Sequence, residues 1–429
     1  MPGAALPAEA SSRDPLTAVD LFCGAGGISV GLERAGYRVL LATDWDAACT
    51  ETFRYNFPDV KMLHGDIREI SAEQTLSKAG LAPGELDLLI GGPPCQGFSI
   101  IGARVVHDPR NDLFREFLRV AAAVRPKCMV IENVPGMATL ARGAPLREIL
   151  DGYDELGYTA AFAEVLAAQY GVPQMRWRML IVGFRRDLGV PPGSGFPAPT
   201  HGQLGIGDLI PNCTITPEEA AGFMTTREAI GDLPPVAAGQ QVSAYDGAPA
   251  CDYQAAMRDG LSNELHNHYA PRLSAQNLAR IQALQPGQDW RDLPRELLPP
   301  GMQRAKRKDH TRRYSRMTWE GIPRSIITRF RDPKSGEYTH PEQDRTISIR
   351  EAARIQSFPD GFVFLGTRSD QYELVGNAVP PRLGEAVARE VAACLRAQAT
   401  HRLDTGNALR RRPTLSLTLA QPALPLDGV

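Results

Sequence analysis

Between Thr17 and Arg186, short apolar runs alternate with amphipathic stretches, and this rhythm restricts the possible folds more than any other feature of the chain. Strand character falls at Ala18–Phe22, Arg38–Thr43, Leu86–Ile90, Cys128–Glu132 and Arg178–Phe184, with another short strand expected before His64. Helical spacing falls between them, near Gly27–Ala35, Asp46–Tyr55, Asp112–Val124 and Leu146–Leu156. Strands that alternate with helices return to the sheet in parallel, so the pattern predicts a doubly wound α/β domain with a mostly parallel sheet.

At Leu188 the texture changes: Pro and Gly become frequent, helices look short and the alternation is lost. A second, less regular domain is expected over 188–370. Helical spacing returns at Ser348–Ser357 and Gly384–Ala397. Residues 1–16, rich in Ala, Pro and Ser, read as a disordered leader, and 399–429 as a loose tail. A chain of 429 residues can hold one large and one smaller core. Its net charge of −2 means that any attraction for a polyanion must come from a local patch. No apolar run reaches the roughly 18–20 residues of a membrane span, and the start lacks the basic and apolar regions of a secretory signal. The seven cysteines are scattered without a CxxC pair, which suggests neither a zinc site nor a disulfide framework. His266 and His268 lack cysteine partners, so no metal is expected, and a cytoplasmic location fits best.

Three segments carry chemistry. After the first strand comes Cys23-Gly24-Ala25-Gly26-Gly27, followed at once by a helix. Such a turn lets backbone approach a ligand beside a helix N-terminus. Asp44 ends the second strand, where a carboxylate can accept from ribose hydroxyls, and Trp45 can stack on an adenine. This pattern alone is shared by NAD, FAD and S-adenosylmethionine binders. Asp66 suits either an adenine amino group or the cap of the next helix. The second segment, Gly91-Gly92-Pro93-Pro94-Cys95-Gln96-Gly97-Phe98-Ser99, is a stiff loop at the end of a buried strand. It presents a nucleophilic thiol, whereas a lone Cys is ordinarily a small buried hydrophobe. In the third, Ile131-Glu132-Asn133-Val134-Pro135-Gly136, a strand-end carboxylate can face the same cleft or simply cap a helix.

Together these residues resemble the DNA cytosine-C5 methyltransferase family. DLFCGAGG at 20–27, GGPPCQGFS at 91–99, ENVPG at 132–136, QMRWR at 174–178, REAARIQSFP at 350–359 and GNAVP at 376–380 occur in the family's order. The resemblance implies a seven-stranded, Rossmann-like S-adenosylmethionine-dependent methyltransferase domain over 17–187. It adds a target-recognition domain over 188–370 and a segment over 371–398 that returns to the first. It implies catalytic roles for Cys95, Glu132, Arg176 and Arg178. Cys95 would add to cytosine C6, Glu132 would contact N3 and the exocyclic amine, and Arg178 would contact O2. Phe22, Gly24, Gly26, Gly27, Asp44, Trp45, Asp66, Ile67, Pro93, Leu113 and Asn377 match cofactor-contacting positions. Trp177 fills a variable position, and Ser348 stands where Thr is commoner.

The target atom is inaccessible inside a stacked duplex, so the resemblance also implies base flipping. The stretch 99–110, with Ser99, Arg104 and Arg110, has the character of a closing loop or of a plain surface loop, and Gln96 precedes it. The run 304–316 carries seven Lys or Arg against one Asp. Arg304, Lys306, Arg307, Lys308, Arg312 and Arg313 are its candidate DNA contacts, against the alternative of a solvated face. Double-stranded DNA is the expected partner, with a cognate restriction endonuclease as a candidate second one. A monomer is expected. Methylation of tRNA, or a catalytically silent DNA-binding copy of the fold, are the competing readings.

Overall fold

The computed structural model describes residues 14–94, 113–138, 140–191, 193–202, 222–304 and 312–401. Seven strands form one sheet: β1 Leu16–Leu21, β2 Tyr37–Asp44, β3 Lys61–His64, β4 Leu88–Gly91, β5 Cys128–Asn133, β6 Tyr158–Leu166 and β7 Trp177–Arg185. Their order is β3-β2-β1-β4-β5-β7-β6. Neighbours from β3 to β5 pair in parallel, while β7 runs antiparallel to both β5 and β6. The helices between them are α1 Gly27–Arg34, α2 Ala47–Asn56, α3 Ala72–Ala79, α4 Leu113–Val124 and α5 Ala144–Glu155.

The central strands are uninterrupted apolar runs because helices cover both faces. Every residue of β4 and β5 is buried. On one face α4 lays down Phe114, Phe117, Val120, Ala121 and Val124 at helical spacing, packed with residues of α5. The other face carries α1 and a long C-terminal helix, α11 Pro381–His401. Glycine lets these two helices meet closely. A Cβ at Gly31 would lie 2.5 Å from the Glu385 nitrogen and 2.6 Å from the Pro381 oxygen.

The irregular region holds short helices, α6 Thr226–Ile230, α7 Asp252–Met257 and α8 Ala275–Gln282, and a two-stranded pair, β8 Ser315–Arg316 with β9 Glu337–Thr339. Two helices follow, α9 Ile349–Ile355 and α10 Arg368–Asn377. One apolar cluster joins Ile230, Tyr253, Phe330 and Phe358 to Cys23, Ala25 and Phe53 of the first domain. The expected second domain therefore packs directly on the glycine turn and α2. Among the described residues no helix is long and apolar enough to cross a membrane.

Candidate active site

The chain leaves β1 toward β2 on one side and later enters β4 on the other. A crevice therefore opens above the C-terminal ends of β1 and β4, where open α/β sheets take ligands. Phe22, just after β1, sits in the left-handed region at φ 58°, a conformation that costs a non-glycine residue about 1–2 kcal/mol. Gly24 and Gly26 continue the turn at φ 56° and 103°. Asp44, at the end of β2, fastens it: one carboxylate oxygen accepts from the Gly24 N–H at 2.9 Å, the other from the Asp46 N–H at 3.0 Å. Burial raises the pKa of this carboxyl. A carboxylate has about four acceptor positions, so Asp44 retains capacity for a hydroxyl group.

The glycines differ in purpose. Nothing lies within 4 Å of a Cβ built on Gly24, so this residue borders open space. A Cβ on Gly27 would fall 2.1 Å from the Val379 oxygen, so glycine at 27 is required by the GNAVP segment packed against it. Trp45, beside Asp44, is 69% exposed and presents a free ring face. The open edge at Gly24, the carboxylate and the exposed indole fit the nucleoside end of S-adenosylmethionine. Ile67 is buried beneath, Leu113 opens α4 half-buried, and Asn377 is exposed at the end of α10, two residues before Val379. Asp66 is engaged locally. Its carboxylate takes the backbone N–H and Nε of Arg68, both at 3.0 Å, which lowers its pKa and holds the turn after β3.

The residues expected to face the base sit at the ends of β4, β5 and β7. Glu132 and Arg178 form an ion pair at 2.5 Å, with both side chains largely buried. A Cβ on Gly92 would lie 3.2 Å from a Glu132 carboxylate oxygen, so the loop that leads to Cys95 starts against this pair. Asn133 steadies the same loop by donating to the Pro93 oxygen at 3.2 Å. Burial lowers the Arg178 pKa, and Glu132 opposes that shift.

Arg176 requires a correction. Its guanidinium does not join the pair; it donates to Ser325 Oγ and to the Ile326, Gly376 and Ala378 oxygens at 2.8–3.3 Å. It lies before β7 begins, where the chain turns, and it braces the segment around Asn377. Two residues not expected to matter complete this brace. Gln174 donates to Gln356 Oε1 at 2.7 Å, and Gln356 donates to the Val375 oxygen at 2.7 Å. Both lie inside the quoted motifs, the only signal that could have singled them out. Asp20 was also passed over. It is fully buried under the turn, accepts from Ser29 Oγ at 2.7 Å, and burial raises its pKa to about 7.

Cys95, Gln96, Ser99, Arg104, Arg110, Lys306, Arg307 and Lys308 lie outside the described residues. Of the remaining candidate DNA contacts, Arg304 and Arg313 are exposed. Arg312 instead donates to the buried carboxylate of Glu337 at 3.1 Å, an internal ion pair where a solvent-facing contact was expected.

Residues 16–393 match the family model of the C-5 cytosine-specific DNA methylases. The chain is 31% identical to the Type II methyltransferase M.AgeI of Thalassovita gelatinovora, over 87% of this chain and 98% of that protein. It is 35% identical to the Type II methyltransferase M1.HphI of Haemophilus parahaemolyticus, over 88% and 86%. Among solved structures it resembles a prophage-encoded DNA modification methyltransferase of E. coli, with a TM-score of 0.64, 23% identity, and 89% and 99% of the two chains covered.

Proposed function

The chain belongs to the C-5 cytosine-specific DNA methylase family, and from that premise we propose that it moves a methyl group from S-adenosylmethionine to C5 of a flipped-out cytosine in a specific double-stranded DNA site, through a covalent Cys95–C6 adduct. The observation that carries this reading is the Glu132–Arg178 pair at the root of the Cys95 loop. It sets an acceptor and a cationic donor side by side, and the Watson–Crick edge of cytosine offers the complementary groups. Glu132 faces the N3 and amino side, and Arg178 the O2.

Cytosine C5 is a weak nucleophile. Addition of the Cys95 thiolate to C6 makes the ring enamine-like and raises electron density at C5. A proton shared between Glu132 and N3 favours that addition, and Arg178 at O2 offsets the negative charge that develops. Bound S-adenosylmethionine would supply an electrophilic methyl on a sulfonium; Asp44, Trp45 and the Gly24 edge would hold its nucleoside. After the C5 proton is lost, Cys95 is expelled and the aromatic ring is restored. Extruding the base costs a few kcal/mol, which contacts to the phosphates must offset.

Expression in a methylation-free host followed by bisulfite sequencing tests the activity. Unconverted cytosines at one recurring motif are expected; full conversion everywhere refutes the reading. The Type II relatives make a cognate endonuclease, encoded nearby, the partner to look for.

A further inference from the structure

A cavity of about 910 Å³ opens in the irregular region, away from the crevice. Residues distant in sequence line it: Arg272, Arg280, Arg313, Arg331 and Lys334 supply five cations, and Asp332 supplies the carboxylate. Asp332 pairs with Lys334 at 3.3 Å. The four arginines have no carboxylate partner among the described residues. Arg280, largely buried, donates to the Leu297 oxygen at 2.7 Å and to Asn277 Oδ1 at 2.8 Å, both neutral, and lies over the Tyr314 ring. Arg331 donates to Ser369 Oγ at 3.1 Å and lies over the Tyr372 ring. Arg272 and Arg313 are exposed.

Arg280 is fixed and largely buried among neutral partners, while Arg272, Arg313 and Arg331 are exposed, so the wall of the cavity carries guanidinium charges that no described carboxylate neutralises. Their planar forks suit phosphate oxygens. Four of them spread over this volume exceed what a single small anion can neutralise, whereas consecutive phosphates of a nucleic-acid strand can. One helix links the groove to the crevice. Arg331 contacts α10, and α10 ends at Asn377, beside the Val379 contact with the glycine turn.

We propose that this composite groove, and not the contiguous 304–316 run alone, receives the phosphodiester backbone of duplex DNA flanking the target, with Arg272, Arg280, Arg313 and Arg331 neutralising phosphates without reading sequence. The proposal rests on the DNA-methylating function argued above. It is tested by binding of the whole chain to a fluorescein-labelled duplex between about 50 and 200 mM salt. Wild type is compared with Arg272→Gln, Arg313→Gln, Arg331→Gln and the triple variant, all at side chains exposed enough to change without unfolding the protein. Each substitution should flatten the plot of log affinity against log salt by about 0.9, and the triple variant by nearly 3. The weakening should be equal on a random duplex and on the methylated sequence. An unchanged slope, or a loss confined to the methylated sequence, overturns the proposal. Methylation by wild type, measured on the same preparation, separates the two claims. If wild type methylates DNA while the slopes do not move, only the groove assignment falls; if wild type methylates nothing, the function itself falls.

Discussion

In the proposed reaction Glu132 and Arg178 are the described side chains that face the base, and Glu132 has a distinct signature. Glu132→Gln keeps the shape of the pocket but removes the proton shared with N3. Methyl transfer should fall by about 10²–10³-fold in single-turnover assays while duplex binding persists. A variant that retains near-normal rates would remove Glu132 from the mechanism. Arg176 belongs to a different class. Arg176→Met removes the Arg176 donor from the Ile326 and Gly376 oxygens and leaves Ala378 with only the long contact from Gln356 at 3.5 Å. A buried polar group left unpaired costs about 1–3 kcal/mol. The expected outcome is a lower urea midpoint together with weaker cofactor binding by calorimetry, because the brace holds the segment around Asn377. Sequence spacing could not separate the two arginines, since positions two apart in a strand share a face. The chain bends before Trp177, and only the tertiary partners reveal the division. Glu132 was singled out by its place in the ENVPG segment, since a strand-end carboxylate alone can equally cap a helix. Arg312 was misread for a different reason: a charged residue on an irregular segment finds a partner, Glu337, that no pattern announces.

The glycine turn between β1 and α1 combines two requirements that sequence reading merges into one motif. Gly27→Ala drives a methyl into the Val379 oxygen, backbone against backbone, and should cost about 1–3 kcal/mol of stability in denaturant titration. Gly24→Ala meets no neighbour and pays only the strain of a positive φ, about 1 kcal/mol. Its methyl enters the crevice, so cofactor affinity should drop more than stability. The reverse ranking would place the ligand elsewhere. The strands that read clearly were those rich in Val, Ile and Leu. β6 was not recognised because its alanine-rich sequence, YTAAFAEVL, has little strand propensity; it is held by pairing with β7. α3 was missed although Ser71 and Gln74 form a capping box, a local signal that could have been read.

Across the molecule, two buried groups oppose each other in their response to pH. Burial lifts the Asp20 pKa from 3.8 to about 7, so the folded state holds its proton more firmly than the unfolded chain. Its contribution is full below about pH 4 and is lost as pH rises toward 7, by about 4 kcal/mol. Burial lowers His340 from 6.5 to about 4, and its Nδ1 accepts two backbone N–H groups at 3.0–3.1 Å. Its contribution is full above pH 6.5 and is lost as pH falls toward 4, by about 3 kcal/mol. Asp20→Asn should therefore make stability fall more steeply on acidification, and His340→Gln should make it fall more steeply as pH rises, in urea titrations from pH 4 to 7. Parallel curves for either variant and wild type would contradict the assignment. The doubly wound architecture was readable in the βαβ rhythm. The shared core that ties Tyr253 and Phe358 to Cys23 and Phe53 was not, because contacts so distant in sequence leave no periodicity. The central claim is that the sulfur of residue 95 bonds to a pyrimidine, and it is met most directly with a duplex carrying 5-fluorocytosine at the methylated position. In the presence of S-adenosylmethionine the account predicts a denaturation-resistant protein–DNA complex, mapped by peptide mass spectrometry to Cys95 and absent in Cys95→Ala. Binding of both ligands without any such complex would contradict it.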